Sequence, residues 1–404
     1  MSADHTETIR TPAQLTRPDV LICLSDKDSE TVAAASLRDL NVKNVIIKSG
    51  TIETAIEIVT TQPTPKLLIV DIEKITDYHE RIERLSERCE PNTKVIIIGN
   101  QNDVALYRHL KNQGITDYFF KPLSPDIFKR ACSAAIEPGE KAVSEIRKGK
   151  IIYIIGVKGQ CGATTIAGYS ALNLSHIRQS VVMYVDLDIQ NGDTALQLNC
   201  QPNQALIEAL TDPLRLDSLF LMRGKIRVTD RLDLLSSIVS LGTPLNIQEA
   251  AFNRLLEMLT EHYKYIFIEM PPHIASNFKN ILEQPSICWL ISDMSLTAAR
   301  DVKRWLEFLG PNNAQRRTLQ IVNMAGAEAA IPLEDFNQTV GRSPDIIIPY
   351  DKKIARNSSL GITTTFPSIA LQGAVERILS DLAGQAVSHS PGFMERYFGM
   401  KARK

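Results

Sequence analysis

Gly156-Val157-Lys158-Gly159-Gln160-Cys161-Gly162-Ala163-Thr164-Thr165 is the stretch on which the reading of this chain turns. It follows Ile151-Ile152-Tyr153-Ile154-Ile155, a continuous apolar run that reads as a buried parallel strand. It precedes Ile166 to Leu174, which reads as a helix. Strand, glycine-bearing turn and helix start together gather backbone N–H groups and the positive helix end at one spot, where a phosphate can sit. A complete phosphate loop is G-x-x-x-x-G-K-[ST], with its lysine on the β- and γ-phosphates and its hydroxyl on Mg²⁺. Here Val157 replaces the first glycine, Gly162 is the second, Ala163 replaces the lysine, and Thr164 keeps the hydroxyl. Taken alone, the stretch fits a damaged phosphate loop and a plain strand-to-helix turn equally.

Signals downstream follow in a consistent order. Val181–Val185 reads as a strand ending in Asp186-Leu187-Asp188. By itself that is an acidic turn. Tyr265-Ile266-Phe267-Ile268-Glu269 is an apolar strand ending in an acid, and Met270-Pro271-Pro272 follows, a proline pair that a plain strand end does not explain. Ser286–Ile291 reads as another core strand, and Ser295 caps a helical pattern running to Leu309. Leu319-Gln320-Ile321-Val322-Asn323 is a strand ending in an amide. Last comes Ile346-Ile347-Ile348-Pro349-Tyr350-Asp351, with Lys352, Lys353, Arg356 and Gly361 behind it.

In order and spacing, residues 150–386 resemble the MinD/ParA-type deviant Walker ATPases. The resemblance implies that Lys158, Gly159, Gln160, Cys161, Gly162, Ala163, Thr164 and Thr165 cradle a nucleotide. Lys158 matches the signature lysine, which reaches across a homodimer to the partner's phosphates. Thr164, Asp186 and Glu269, the last in place of an aspartate, would hold Mg²⁺, and Asp188 would orient the attacking water. Asn323 would recognise adenine, because an amide both donates and accepts. Losing the lysine at Ala163 removes a charge clamp worth several kcal/mol at the transition state. Binding of ATP and Mg²⁺ with slow or absent hydrolysis is therefore expected, the alternative being a pseudo-site that binds nothing.

The first part of the chain alternates strand and helix five times. The strands read as Val20–Leu24, Val45–Lys48, Leu67–Asp71, Val95–Gly99 and Tyr118–Phe120. Helical spacing falls on Glu30–Leu40, Ile52–Thr60, Tyr78–Arg88, Val104–Asn112 and Pro125–Ile136. Such units build a parallel sheet covered on both faces. Residues 19–136 resemble a response-regulator receiver, with Asp71 at the phosphoacceptor position and Lys121 before Pro122. Two departures matter: Leu24 and Ser25 stand where the metal-binding acids belong, with Asp26 and Asp28 nearby, and Gly99 stands where a Ser or Thr belongs. Aspartyl phosphorylation needs a metal to offset charge, so a docking module is expected. The fold class is thus α/β, two doubly wound parallel-sheet domains. A tail spans 1–18, a charged linker with Pro138-Gly139 spans 137–149, and a second tail spans 387–404.

A receiver-like domain ahead of this ATPase pattern resembles the TadZ/CpaE family of tight-adherence (Flp) pilus assembly. That resemblance implies a homodimeric factor marking a cell pole or inner-membrane face. Its partners would be other Tad/Flp proteins, a secretion ATPase or a membrane platform. Composition fits: of 404 residues, 44% are hydrophobic and 23% charged, with a net charge of −1, so no global field draws nucleic acid or anionic lipid. The six cysteines form no C-x-x-C pair, the seven histidines form no metal-spaced cluster, and the polar start fits a cytoplasmic chain. Trp289 and Trp305 read as core. Two rivals remain: a DNA-binding ParA-like ATPase using Arg316-Arg317 and Lys352/Lys353/Arg356 as a patch, and a true response regulator labelled on Asp71. No sequence-specific nucleic-acid partner is expected. The aromatic and basic tail from Pro391 leaves open peripheral membrane docking or a frayed end.

Overall fold

The computed structural model describes residues 17–73, 75, 78–136, 148–240, 242–243, 246–358 and 361–382. The chain divides into two compact units, residues 1–148 and 149–404. Most of the expected linker and both tails (residues 1–16 and 387–404) lie outside the described residues.

The first unit alternates β1 Val20–Leu24, α1 Lys27–Asp39, β2 Val45–Ser49, α2 Ile52–Thr61, β3 Leu67–Asp71, α3 Tyr78–Arg88, β4 Lys94–Gly99, α4 Val104–Asn112, β5 Asp117–Phe120 and α5 Pro125–Ile136. Its sheet is parallel throughout, in the order β2-β1-β3-β4-β5. One face packs Ile52, Ile56 and Val59 of α2, Ile82 and Leu85 of α3, and Leu106 and Leu110 of α4. The other packs Ala33 and Leu37 of α1 with Phe128 and Cys132 of α5. Two covered faces explain why β1 and β3 are apolar at nearly every position. The order reverses between β1 and β3, so the ends of those strands open a crevice. Asp71 and the Ser25-Asp26 turn border it.

The second unit begins with β6 Lys150–Gly156, α6 Ala163–His176, β7 Val182–Asp186, α7 Thr194–Gln197, α8 Ala205–Thr211, α9 Ser218–Gly224, β8 Ile226–Thr229 and β9 Leu232–Ser236. It continues with α10 Glu249–His262, β10 Tyr265–Glu269, α11 Pro272–Ala275, α12 Lys279–Leu282, β11 Ser286–Ser292 and α13 Leu296–Leu309. It closes with β12 Arg316–Ala325, α14 Leu333–Val340, β13 Ile346–Pro349, α15 Lys352–Ser358 and α16 Ile369–Leu382. The eight strands lie in the order β13-β12-β11-β6-β10-β7-β9-β8. All neighbours pair parallel except β8, which closes the edge antiparallel to β9. That hairpin departs from the wholly parallel expectation. α6 and α16 cover one face; α8, α10, α13 and α14 cover the other. β6 sits centrally between β10 and β11, so the loop after it lies at the middle of the strands' carboxyl ends. Trp289 is fully buried and Trp305 packs half-buried against the core, as expected.

Candidate functional site

Gly162 adopts φ 88° as the residue capping α6, a left-handed conformation that glycine takes without strain. A side chain there would meet Asn323, whose Nδ2 lies 2.3 Å from the place of a Cβ. Asn323 itself donates from Nδ2 to the Cys161 carbonyl at 2.9 Å. The strand register of β12 shifts between Val322 and Ala325, and Met324 takes φ 56°, so a bulge delivers this amide to the loop. Cys161 is buried, while Gly159 and Gln160 are exposed, leaving that part of the loop backbone open. Ala163 opens α6, and Thr165 follows half-buried.

Beneath the loop lies a knot of hydroxyls and acids. Glu269 accepts from Thr164 Oγ1 at 2.7 Å, Tyr184 Oη at 2.6 Å and Thr194 Oγ1 at 3.2 Å. Asp186, at the end of β7, is 2% exposed; its Oδ1 accepts from the Asp188 amide at 3.0 Å, and its buried Oδ2 has no partner. A Cβ at Gly192 would come within 2.4 Å of that oxygen, so only glycine leaves room around it. Asp188 is half-buried, and its carboxylate accepts from the Asn191 amide. Burial raises the proton affinity of both Asp186 and Glu269; for Asp186 the neighbouring charge of Glu269 raises it further. An orphaned buried carboxylate oxygen beside a threonine hydroxyl and a second acid is a donor set suited to a hard divalent cation.

A carboxyl whose folded value lies above its unfolded one binds protons more tightly in the folded chain. Stability from this pair is therefore greatest in acid and falls as pH climbs above the ordinary carboxylate range. Without divalent ions, the thermal midpoint of the second unit is expected to drop between about pH 5 and about pH 8. Asp186→Asn should flatten most of that drop. An identical profile in the variant would remove the acid pair as its cause.

Lys158 lies at the rim, where Nζ pairs with Asp293 Oδ2 at 2.6 Å and donates to Ser295 Oγ at 3.1 Å. Asp293 and Ser295 follow β11, and Ser295 also caps α13. Neither was expected at the site, nor were Tyr184 and Thr194. An acid just beyond a parallel strand's carboxyl end is the signal that could have found Asp293.

In the first unit, Asp71 is fully buried, not a solvated strand-end carboxylate. Its Oδ2 accepts from the Ser25 amide at 3.2 Å, from the Ser25 hydroxyl and from Lys121 Nζ at 2.7 Å; Oδ1 accepts from the Glu73 amide at 2.7 Å. Lys121 also pairs with Asp26 at 2.6 Å and Glu73 at 2.6 Å. The three carboxylates offer oxygens within 4.8 Å of one another, and the ammonium lies among them. Burial opposes its charge, but hydrogen bonds to Asp26, Asp71 and Glu73 prevail and hold its proton more tightly than usual. Gly99 has a steric reason: a Cβ there would stand 2.8 Å from Tyr118 Oη. Tyr118 thus occupies the space of the missing hydroxyl side chain.

The Arg316-Arg317 half of the basic patch that the DNA-binding rival requires does not form. Arg316 is buried, and Arg317 is locked in a fork to Asp381 at 2.5 and 2.7 Å. Among the described residues no helix is long and apolar enough to cross a membrane.

An AAA domain family model matches residues 149–318. The septum site-determining protein MinD of Synechocystis is 25% identical over 246 residues, covering 57% of this chain and 89% of that protein. The structure of MinD from Pyrococcus horikoshii complexed with Mg-ADP is 20% identical at a TM-score of 0.48, covering 58% of this chain and 98% of that one. A pilus assembly protein, CpaE from Caulobacter crescentus, is 30% identical at a TM-score of 0.26, covering 29% of this chain and 94% of that one. The second unit thus combines the strand–loop–helix geometry of a P-loop NTPase fold with an AAA domain match over residues 149–318 and sequence similarity to MinD.

Proposed function

We propose that this chain is an ATP-binding, dimerising localisation factor that positions Flp/Tad pilus machinery at a cell pole and hydrolyses ATP slowly or not at all. The observation that carries the nucleotide reading is the convergence of the Gly156–Thr165 loop, Thr164, Asp186 with its unpartnered oxygen, and Glu269. Thr164, Asp186 and Glu269 would hold Mg²⁺, which supplies charge neutralisation on the phosphates when bound. Loop amides would take the phosphates, Asn323 the adenine edge, and Asp188 the attacking water. Ala163 offers no cation to the phosphates, which supports placement over turnover.

Exposed apolar side chains follow the carboxyl ends of four strands around this loop: Leu196, Ile238, Leu296 and Tyr350. Such a rim supports burial against a second copy. Lys158 would then exchange Asp293 for the partner's phosphates. The pilus assignment rests on the order of the two units, together with this loop and the Pro349-Tyr350-Asp351 close. In the first unit, both oxygens of Asp71 are engaged within the protein, which supports a docking surface over phosphotransfer. Tad/Flp proteins are its proposed partners, with membrane contact at most peripheral.

Calorimetric titration of ATP–Mg²⁺ beside sedimentation tests this. Wild type should bind and shift to dimer, and Lys158→Ala should keep binding while losing the nucleotide-driven shift. A dimer indifferent to nucleotide, with no heat of binding, would reduce the second unit to a platform.

A further inference from the structure

We propose that the cleft between α13 and α14, at the amino end of β12, binds the oxyanion group of a small molecule, a phosphate or a carboxylate. The cavity measures about 560 Å³ and is lined by Leu306, Pro311, Val340, Thr318 and the polar rim of Lys303 and Arg342, among others. That size suits a metabolite. It lies at the opposite end of the sheet from the phosphate loop: β12 starts at Arg316 beside the cleft and ends near Asn323, which touches Cys161.

Three successive inward positions on one face of β12 carry polar groups without partners. Arg316 is 7% exposed, Thr318 4% and Gln320 0%. Val322, next on that face, packs into the core beneath α13 and α14, which fixes the direction in which the three point. Arg316 Nη2 donates to the Pro311 carbonyl at 3.0 Å, whereas Nη1 has no acceptor. Thr318 Oγ1 and both polar atoms of the Gln320 amide also lack partners. Among the described residues no carboxylate pairs with Arg316.

The guanidinium decides the chemistry. Water can satisfy a buried hydroxyl or amide, but it does not neutralise a charge, and an uncompensated buried ion costs several kcal/mol. Arg316 is not itself a lining residue but stands directly behind the cleft wall. Gly310 and Pro311 line the cavity, and a Cβ at Gly310 would lie 3.6 Å from Arg316 Nη2. At the rim stand Lys303, Glu307 and Arg342, and Arg342 pairs with Asp345 at 2.6 Å. Asp345 also accepts from the backbone N–H of Gln320, and Asn312 Oδ1 from the backbone N–H of Thr318. Cations thus outnumber acids, and the planar guanidinium matches a carboxylate or phosphate edge.

Titration of the full chain with inorganic phosphate and, separately, with succinate tests this by calorimetry. At least one should give saturable binding. Phosphate alone would assign a phosphorylated ligand, and succinate alone a carboxylate. Arg316→Met should weaken binding about tenfold to a hundredfold, the range for a charge-assisted hydrogen bond. The rim pair Lys303→Gln/Arg342→Gln touches no buried position and should weaken it as well, which keeps the test decisive if Arg316→Met fails to fold. No saturable binding in wild type, or binding that survives both changes, would overturn the proposal. So would phosphate binding abolished by saturating ATP–Mg²⁺ but kept in Arg316→Met, because it would belong to the phosphate loop.

Discussion

Ala163→Lys is expected to raise ATP turnover by about a hundredfold or more, the scale on which one well-placed charge at a transition state acts. Position 163 is the first residue of α6, directly after the left-handed Gly162, so a lysine there would start at the point where the loop turns into the helix. Local crowding does not forbid it. Ala163 is half-buried, and its Cβ stands 3.2 Å from the place of a Gly156 Cβ, a contact on the backbone side of the loop. The other groups of the proposed site are in place: Thr164 beside Glu269, Asp186 with an open oxygen, and Lys158 at the rim. Phosphoryl transfer depends mainly on positioning and charge, so the missing cation is the largest single deficit. Ala163→Met matches lysine in bulk without charge and should leave turnover at the wild-type level. Steady-state phosphate release would be measured for all three proteins at saturating ATP. If Ala163→Lys binds ATP yet hydrolyses no faster, the obstacle lies in Glu269, whose oxygens are held by three hydroxyls, and Glu269→Asp in the same background becomes the informative variant.

How much of this site could be read from the chain depends on which signals are local. The loop, the D-x-D after β7 and the acid after β10 are visible because each ends a continuous apolar run, as buried parallel strands require. Strands β1 and β3 coincide with their expected limits for the same reason. The hairpin of β8 and β9 escaped. β8 is short and half-exposed, and its Thr229-Asp230-Arg231 turn carries none of the glycine or asparagine signals of a tight hairpin. β12 starts three residues earlier than Leu319 because Arg316 and Thr318 are polar yet buried, which hydropathy cannot anticipate. Tyr184 was hidden differently: inside an apolar strand it reads as packing, and only the sheet's pairing of β7 with β10 brings its hydroxyl to Glu269. Lys121 stood out beside its proline, but its acids come from two strand ends, Asp26 after β1 and Asp71 and Glu73 at the end of β3, which the sheet alone assembles.

Those three acids make Lys121→Met the second large effect, a loss of about 3 kcal/mol or more from the first unit, since removing one partner of a buried ion pair strands the other. Asp71 is fully buried, and the lysine side chain is 14% exposed, so water cannot replace the ammonium at the inner carboxylate. Asp26 and Glu73, at 35% and 22%, are partly wetted, which places the loss toward the lower end of the buried-pair range. The variant should also invert the unit's acid response. In wild type, burial works against the Asp26 charge, but Lys121 and the Ser29 amide outweigh it and lower its proton affinity. Its stabilisation is present above the ordinary carboxylate range and is lost as pH falls. Without the ammonium, three clustered carboxylates repel one another, so protonation relieves the strain and mild acid stabilises. Divalent cations should do the same, because the oxygens lie within 4.8 Å of one another and accept a metal where the ammonium was. Hydrogen exchange on β1, β3 and β4 of the full chain, with and without Mg²⁺ or Ca²⁺, reads all three effects. If Lys121→Met leaves protection unchanged, the ammonium is a surface partner. If protection falls and cations do not restore it, the cluster is shaped for lysine alone.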